Sequence, residues 1–323
     1  MLEKLRVSPP AFERFAWGVL GYTVLVILWG ALVRATGSGA GCGDHWPLCN
    51  GAVVPREPAL ETLIEFTHRA TSGLALIAVL AMTLAAFASF DKGAPVRRAA
   101  VASSVFMILE AIIGAGIVLF RLVADDQSIV RGVSMSLHLV NTFLLLGALT
   151  VTAWWTRHEA PARSRLGGPL AWAAGLGFLL LGFVGMTGAI AALGDTLFPT
   201  PSYAASHQGA NANALVEETR HLFLRLRVWH PVVSIVGALW WAVLAHVASL
   251  RSDDETTRRA ALVVFVTTVL QLGLGVINVA LRAPVWMQLV HLFVANVIVV
   301  AAVVFASELL LRGLAPRAAW QRA

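Results

Sequence analysis

Eight stretches of about 20 apolar residues, each almost free of charge, recur near 14–34, 66–90, 97–120, 133–155, 168–193, 228–250, 259–281 and 286–311. A helix rises about 1.5 Å per residue, so each stretch is long enough to cross the roughly 30 Å of a bilayer's hydrocarbon core. Hydrocarbon offers the backbone no hydrogen-bond partners, so a single segment of this length satisfies its own amides as a helix. Composition agrees: 58% of the 323 residues are hydrophobic and 13% are charged, which excludes an ordinary soluble domain. The expected fold is an all-α membrane protein with eight transmembrane helices.

A net charge of +6 raises nucleic acid as a partner, but the basic residues are scattered in short loops rather than massed on one face. The lipid bilayer explains them better. Fifteen of the 24 Lys and Arg fall at the N-terminus (Lys4, Arg6, Arg14), in alternate loops (Lys92, Arg97, Arg98; Arg157, Arg163, Arg165; Arg251, Arg258, Arg259) and at the C-terminus (Arg312, Arg317, Arg322). By the positive-inside rule both termini face the cytoplasm, as in a multi-pass protein of the cell inner (cytoplasmic) membrane. The first span is expected to be retained, because it outruns a signal h-region and lacks a clear small-residue cleavage site before Arg34. The loops near 35–64, 121–132, 194–227 and 282–285 then lie on the outer face. Both cysteines, Cys42 and Cys49, stand in the first of them. That face is oxidising in bacteria, so a disulfide is allowed there. Two free thiols, or a metal site drawing in His45, are the alternatives.

The chain also reads as two related halves, 1–160 and 161–323. TGSGAGCGD at 36–44 and TGAIAALGD at 187–195 place Thr-Gly and Gly-Asp at equal separation, after the first and fifth spans. His138-Leu139 precedes Asn141 early in span four, and His291-Leu292 precedes Asn296 early in span eight. His68 in span two matches His230 in span six. The fold is therefore expected as two pseudo-symmetric four-helix bundles, with corresponding residues at one depth.

Spans two, four, six and eight run in the same direction, and each carries its histidine within the first turn or two. His68, His138, His230 and His291 are thus expected in one layer under the outer surface. Ionisable groups inside a membrane are costly and face the bundle interior. A lone histidine here is usually a packing residue, but four at one depth point to ligands. Zinc favours Cys or carboxylate help and copper transport favours Met-rich or CxxC signals, neither of which is present. Haem held by axial histidines on facing helices fits better, as His68 with His138 and His230 with His291. Arg34, Arg69, Arg131, Arg225 and Arg227 crowd the same edge and are candidates for propionate contacts, with interface anchoring as the plain alternative.

The halves differ. Glu65 stands one turn before His68, and the matching place before His230 holds Arg227. A carboxylate beside a haem edge accepts protons or stabilises developing positive charge; a simple ion pair with Arg69 at i, i+4 is the structural alternative. Glu110 lies deeper, and its role is left open. Trp46, Trp229 and Trp286 suit an aromatic belt. These residues leave three functions standing: an enzyme acting on haem, a two-haem membrane cytochrome b for electron transfer, and a haem exporter or chaperone.

Across nearly the whole chain these features resemble the haem A synthase family. GALVRATGSGAGCGDHWPLCNG at 30–51 is similar to the family's first outer loop, and EFTHR at 65–69 to its glutamate and first histidine. The contexts of His138, His230 and His291 supply the other three. The resemblance implies oxidation of the C8 methyl of haem O to a formyl group, giving haem A. It implies substrate haem O near His68 and His138, Glu65 in catalysis, and haem b on His230 and His291. It also implies a Cys42–Cys49 disulfide. Protohaem farnesyltransferase, which supplies haem O, and oxidase assembly factors are the implied partners.

Overall fold

The computed structural model describes residues 6–158, 160–161, 168–198 and 222–314. Arg163, Arg165, Arg317, Arg322 and Lys4 lie outside the described residues. The helices are α1 (Pro9–Ala35), α2 (Leu60–Ser89), α3 (Pro95–Leu119), α4 (Ile129–Trp154), α5 (Pro169–Leu197), α6 (Leu222–Arg227), α7 (Trp229–Arg251), α8 (Glu255–Ala280) and α9 (Val285–Arg312). Together α6 and α7 form the sixth of eight segments long and apolar enough to cross a membrane. Among the described residues there is no strand, only an isolated bridge between Cys49 and Ala52.

The helix starts follow local chemistry. Proline opens α1, α3 and α5, where its missing N–H costs nothing. Ser128 caps α4 by accepting from Arg131 N at 3.2 Å, and Asp254 caps α8 by accepting from Thr257 N at 2.8 Å. That backbone bond draws the Asp254 carboxyl below its usual pKa.

Several helices extend beyond their apolar stretches. The second begins at Leu60 rather than 66, the fourth at Ile129 rather than 133, and the fifth ends at Leu197 rather than 193. Backbone hydrogen bonding carries a helix into the polar edge, where hydropathy no longer marks it. One repeat register also changes. Thr36-Gly37 follows α1, whereas Thr187-Gly188 lies inside α5, so those two dipeptides are not structural equivalents.

The contacts group α1–α4 into one set and α5–α9 into another, with α1, α4, α5 and α9 meeting between them. Phe12, Val79, Met82, Leu146 and Leu149 centre the first apolar core; Trp241, Val264, Phe305 and Leu309 centre the second. In the even-numbered spans the cores begin at Ala75, Leu145, Trp241 and Val299. Each lies at least seven residues beyond that span's histidine, about two turns or more. Close packing thus fills one end of each set, and the histidine end is built differently.

Candidate functional site

The four histidines keep a shared register. His68 stands eight residues after Leu60, His138 nine after Ile129, His230 eight after Leu222 and His291 six after Val285. They are therefore about 9–14 Å along their helices, somewhat deeper than expected because the helices start earlier. The rings of His230 and His291 are 6.4 Å apart between centroids and nearly perpendicular, at 80°.

A feature missed in the sequence accounts for the space around them: each ring faces a glycine on the preceding span. A methyl placed on Gly30, Gly114, Gly188 or Gly275 would come within 2.8, 3.7, 3.0 or 3.4 Å of Cε1 of His68, His138, His230 or His291, respectively. The half-to-half equivalence is therefore Gly30-Ala31 with Gly188-Ala189, a match visible in the sequence only once the histidines' neighbours are known.

The donor set suits haem better than a bare ion. Among the described residues no three His, Cys, Asp or Glu side chains converge as a metal cage. A porphyrin supplies four ligands itself and asks only for an axial pair. Two bonds of about 2 Å to one metal, plus the depth of two rings, span a gap of the order seen between His230 and His291. His230 Nδ1 is held by the Thr187 hydroxyl at 3.1 Å, which leaves Nε2 for a ligand. The buried Nδ1 atoms of His68, His138 and His291 have no hydrogen-bond partner.

Glu65 is buried at 3% exposure, and both oxygens are engaged. Oε2 accepts from Cys42 N at 2.8 Å, and Oε1 accepts from Arg69 Nη2 at 2.5 Å and Nε at 3.1 Å. Arg69 also donates to the carbonyl oxygens of His45 and Leu48, at 2.5 and 2.7 Å. Glu65 and Arg69 thus form the anticipated i, i+4 pair and together tie the first outer loop to α2. Cys42 and Cys49 close that loop as a disulfide, S–S 2.02 Å, with both cysteines buried. The Arg121 guanidinium on exposed Asp44 links the loop to the α3–α4 turn and holds the Asp44 carboxyl below its ordinary range.

Gly41 permits this docking. A Cβ there would sit 2.6 Å from backbone atoms of Glu61 and Thr62, while its carbonyl accepts from the Thr62 hydroxyl at 2.8 Å. Gly41→Ala is therefore expected to lift the loop off α2 and to lower stability by about 1–3 kcal/mol. Thermal denaturation of the detergent-solubilised protein checks this; an unchanged midpoint contradicts the docking.

Three of the remaining candidate arginines, Arg34, Arg131 and Arg227, have protein partners. Arg34, on α1, donates to Ala192 O and Thr196 Oγ1 on α5, both at 2.7 Å, and to Gln288 Oε1 on α9 at 2.8 Å. It therefore clasps the two sets of helices together. Arg131, 4% exposed, donates to Ala124 O at 2.6 Å and Asp126 O at 2.8 Å. Arg227, the last residue of α6, pairs with Asp195 at 3.2 Å, and Arg225 is exposed. Trp46, Trp229 and Trp286 are all exposed, as a belt requires.

A Protoheme IX farnesyltransferase of Thermus thermophilus is 47% identical over 313 residues, which cover 95% of this chain and 50% of that protein. The chain thus spans about half the length of that relative. A Heme A synthase of Exiguobacterium sibiricum is 37% identical over 98 residues, 30% of this chain and 33% of the relative. A Heme A synthase of Bacillus cereus is 39% identical over 112 residues, 35% of this chain and 36% of the relative. Residues 13–303 match the family described as cytochrome oxidase assembly protein. With eight spans, paired intramembrane histidines and a match over most of its length, the chain belongs to the cytochrome oxidase assembly protein family.

Proposed function

We propose that this protein is a haem A synthase of the inner membrane, both termini cytoplasmic, which oxidises the C8 methyl of haem O to a formyl group. The observation that carries the reading is a pair of glycine-cradled histidines in each four-helix set, with a buried carboxylate beside the first pair only. In the half 1–160, His68 and His138 hold haem O as substrate. In the half 161–323, His230 and His291 hold haem b, which relays electrons one at a time when bound. Conversion of CH₃ to CHO consumes one water and releases four protons and four electrons, the electrons leaving singly through haem b to an external electron acceptor.

Glu65 contributes fixed negative charge. Arg69 and the Cys42 amide each bond one carboxylate oxygen, which fixes its orientation. Positive charge that develops at the methyl carbon is stabilised by that charge, and water adds there. The disulfide loop keeps Glu65 buried. Among arginines at this edge, exposed Arg225 is the readiest for a propionate, while Arg34, Arg69, Arg131 and Arg227 also hold the protein together.

We assign farnesyl transfer to the half of the Thermus protein that this chain does not match. In that relative the two parts share one polypeptide, which supports delivery of haem O to this chain by a neighbouring protohaem farnesyltransferase. Oxidase assembly factors receive the product. Co-expression with a haem O source, followed by chromatography of extracted haems, tests the reading. Formyl haem is expected. Haem O recovered unchanged, with both halves loaded, overturns it in favour of a two-haem cytochrome b.

A further inference from the structure

We infer that Glu110 is a positioning residue that makes His138 a more electron-donating axial ligand than His291, and so directs electrons from the first haem to the second. This rests on the reading that each histidine pair holds a haem. Glu110, on α3, lies with Oε1 3.5 Å from His138 Nδ1, a nitrogen with no hydrogen-bond partner of its own. A small rotation of the ring brings the two into bonding range.

The carboxylate is held for this role. Asn141 Nδ2 donates to Glu110 Oε2 at 2.5 Å and also to Phe106 O at 2.9 Å. The Thr142 hydroxyl donates to Glu110 Oε1 at 2.5 Å. Both donors lie on α4, three and four residues after His138, on the face that meets α3. Hydrogen bonds on both oxygens fix the orientation of the carboxylate beside His138.

The second half has no carboxylate at the corresponding place, and the buried His291 Nδ1 has no hydrogen-bond partner. Glu110 stands four residues before Gly114, the glycine facing His138; Gln271 stands four residues before Gly275, the glycine facing His291. The Gln271 amide nitrogen lies 3.1 Å from His291 Nε2 and donates to the His291 carbonyl oxygen at 3.1 Å. The donors are absent as well: three and four residues after His291 come Val294 and Ala295. Asn296, five residues after His291, is fully buried and its amide has no hydrogen-bond partner, so it does not take the place of Asn141. Carboxylate and supporting donors occur together in one half, and amide and apolar residues occur together in the other.

A carboxylate on the outer nitrogen of a metal-bound imidazole raises ligand basicity, and an imidazole without one is the weaker donor. The more basic ligand stabilises the ferric state and lowers the reduction potential. With haem bound in both halves, His138 and Glu110 would thus favour transfer of an electron from the first haem to the second, with no proton to place. Glu65 acts on the substrate's methyl carbon and Glu110 acts through His138 on the iron.

The test is a spectroelectrochemical titration of the full-length protein loaded by co-expression with a haem O source, with haem content measured on the same sample. Glu110→Gln is expected to raise the ratio of reduced to oxidised first haem about tenfold at fixed potential, a shift of about 59 mV for one electron. Glu110→Asp, which keeps the carboxylate but withdraws it from His138, is expected to raise the same ratio by less than tenfold, and it remains readable if Glu110→Gln impairs folding. Haem retained with the ratio moved by neither variant overturns the proposal alone. A wild-type chain that holds no haem overturns the reading beneath it and this proposal together.

Discussion

Glu65→Gln is expected to leave haem in both halves and to cut formyl-haem production by about 10²- to 10³-fold, the usual effect of removing one electrostatic stabiliser from a buried site. The residue is 3% exposed and lies one helical turn from His68. Glutamine keeps the shape and removes the charge. It also has one acceptor oxygen where the carboxylate offers two, so either the Cys42 amide or Arg69 then faces an NH₂ group. That mismatch costs about 1–3 kcal/mol of stability and loosens the loop. Two roles therefore converge on one side chain, and Gly41→Ala separates them, since it disturbs the same loop while keeping Glu65. If Gly41→Ala lowers product as much as Glu65→Gln, the effect is mechanical. A Glu65→Gln protein that makes haem A at the normal rate removes the residue from the chemistry.

His291→Ala or His230→Ala is expected to abolish the low-spin absorption of the second haem and to reduce haem per chain by about half. The 6.4 Å between the two rings is set by helices on opposite sides of the gap, α7 and α9, and among the described residues no third His, Cys, Asp or Glu converges on them. Alanine at either place leaves iron with one protein ligand and opens space beside Gly188 or Gly275. The first haem depends on α2 and α4 and should persist. Reduced-minus-oxidised spectra with quantified extracted haem give the answer, and an unchanged spectrum in either variant contradicts the assignment.

The sequence was most informative about hydropathy and periodic placement. Eight spans were legible because lipid demands long apolar helices, and the histidines stood out because ionisable groups inside such helices are rare. The ends of α2, α4 and α5 were not legible, since a helix continues into polar residues that hydropathy reads as loop. The Thr-Gly match was misplaced at Thr187-Gly188, because a dipeptide match carries no information about where a helix stops.

Chain chemistry alone determined that this protein is a multi-span helical bundle with a histidine for each even-numbered span. Tertiary structure decided the rest: which glycine each ring faces, that Arg34 joins the two sets of helices, and that Glu65 holds the disulfide loop. It also brought Glu110 and Gln271 beside their histidines from 28 and 20 residues away in the chain. The physical reason is that burial and period are properties of one helix, readable residue by residue. A hydrogen bond between helices depends on their rotation and offset, which are set only when the whole bundle packs.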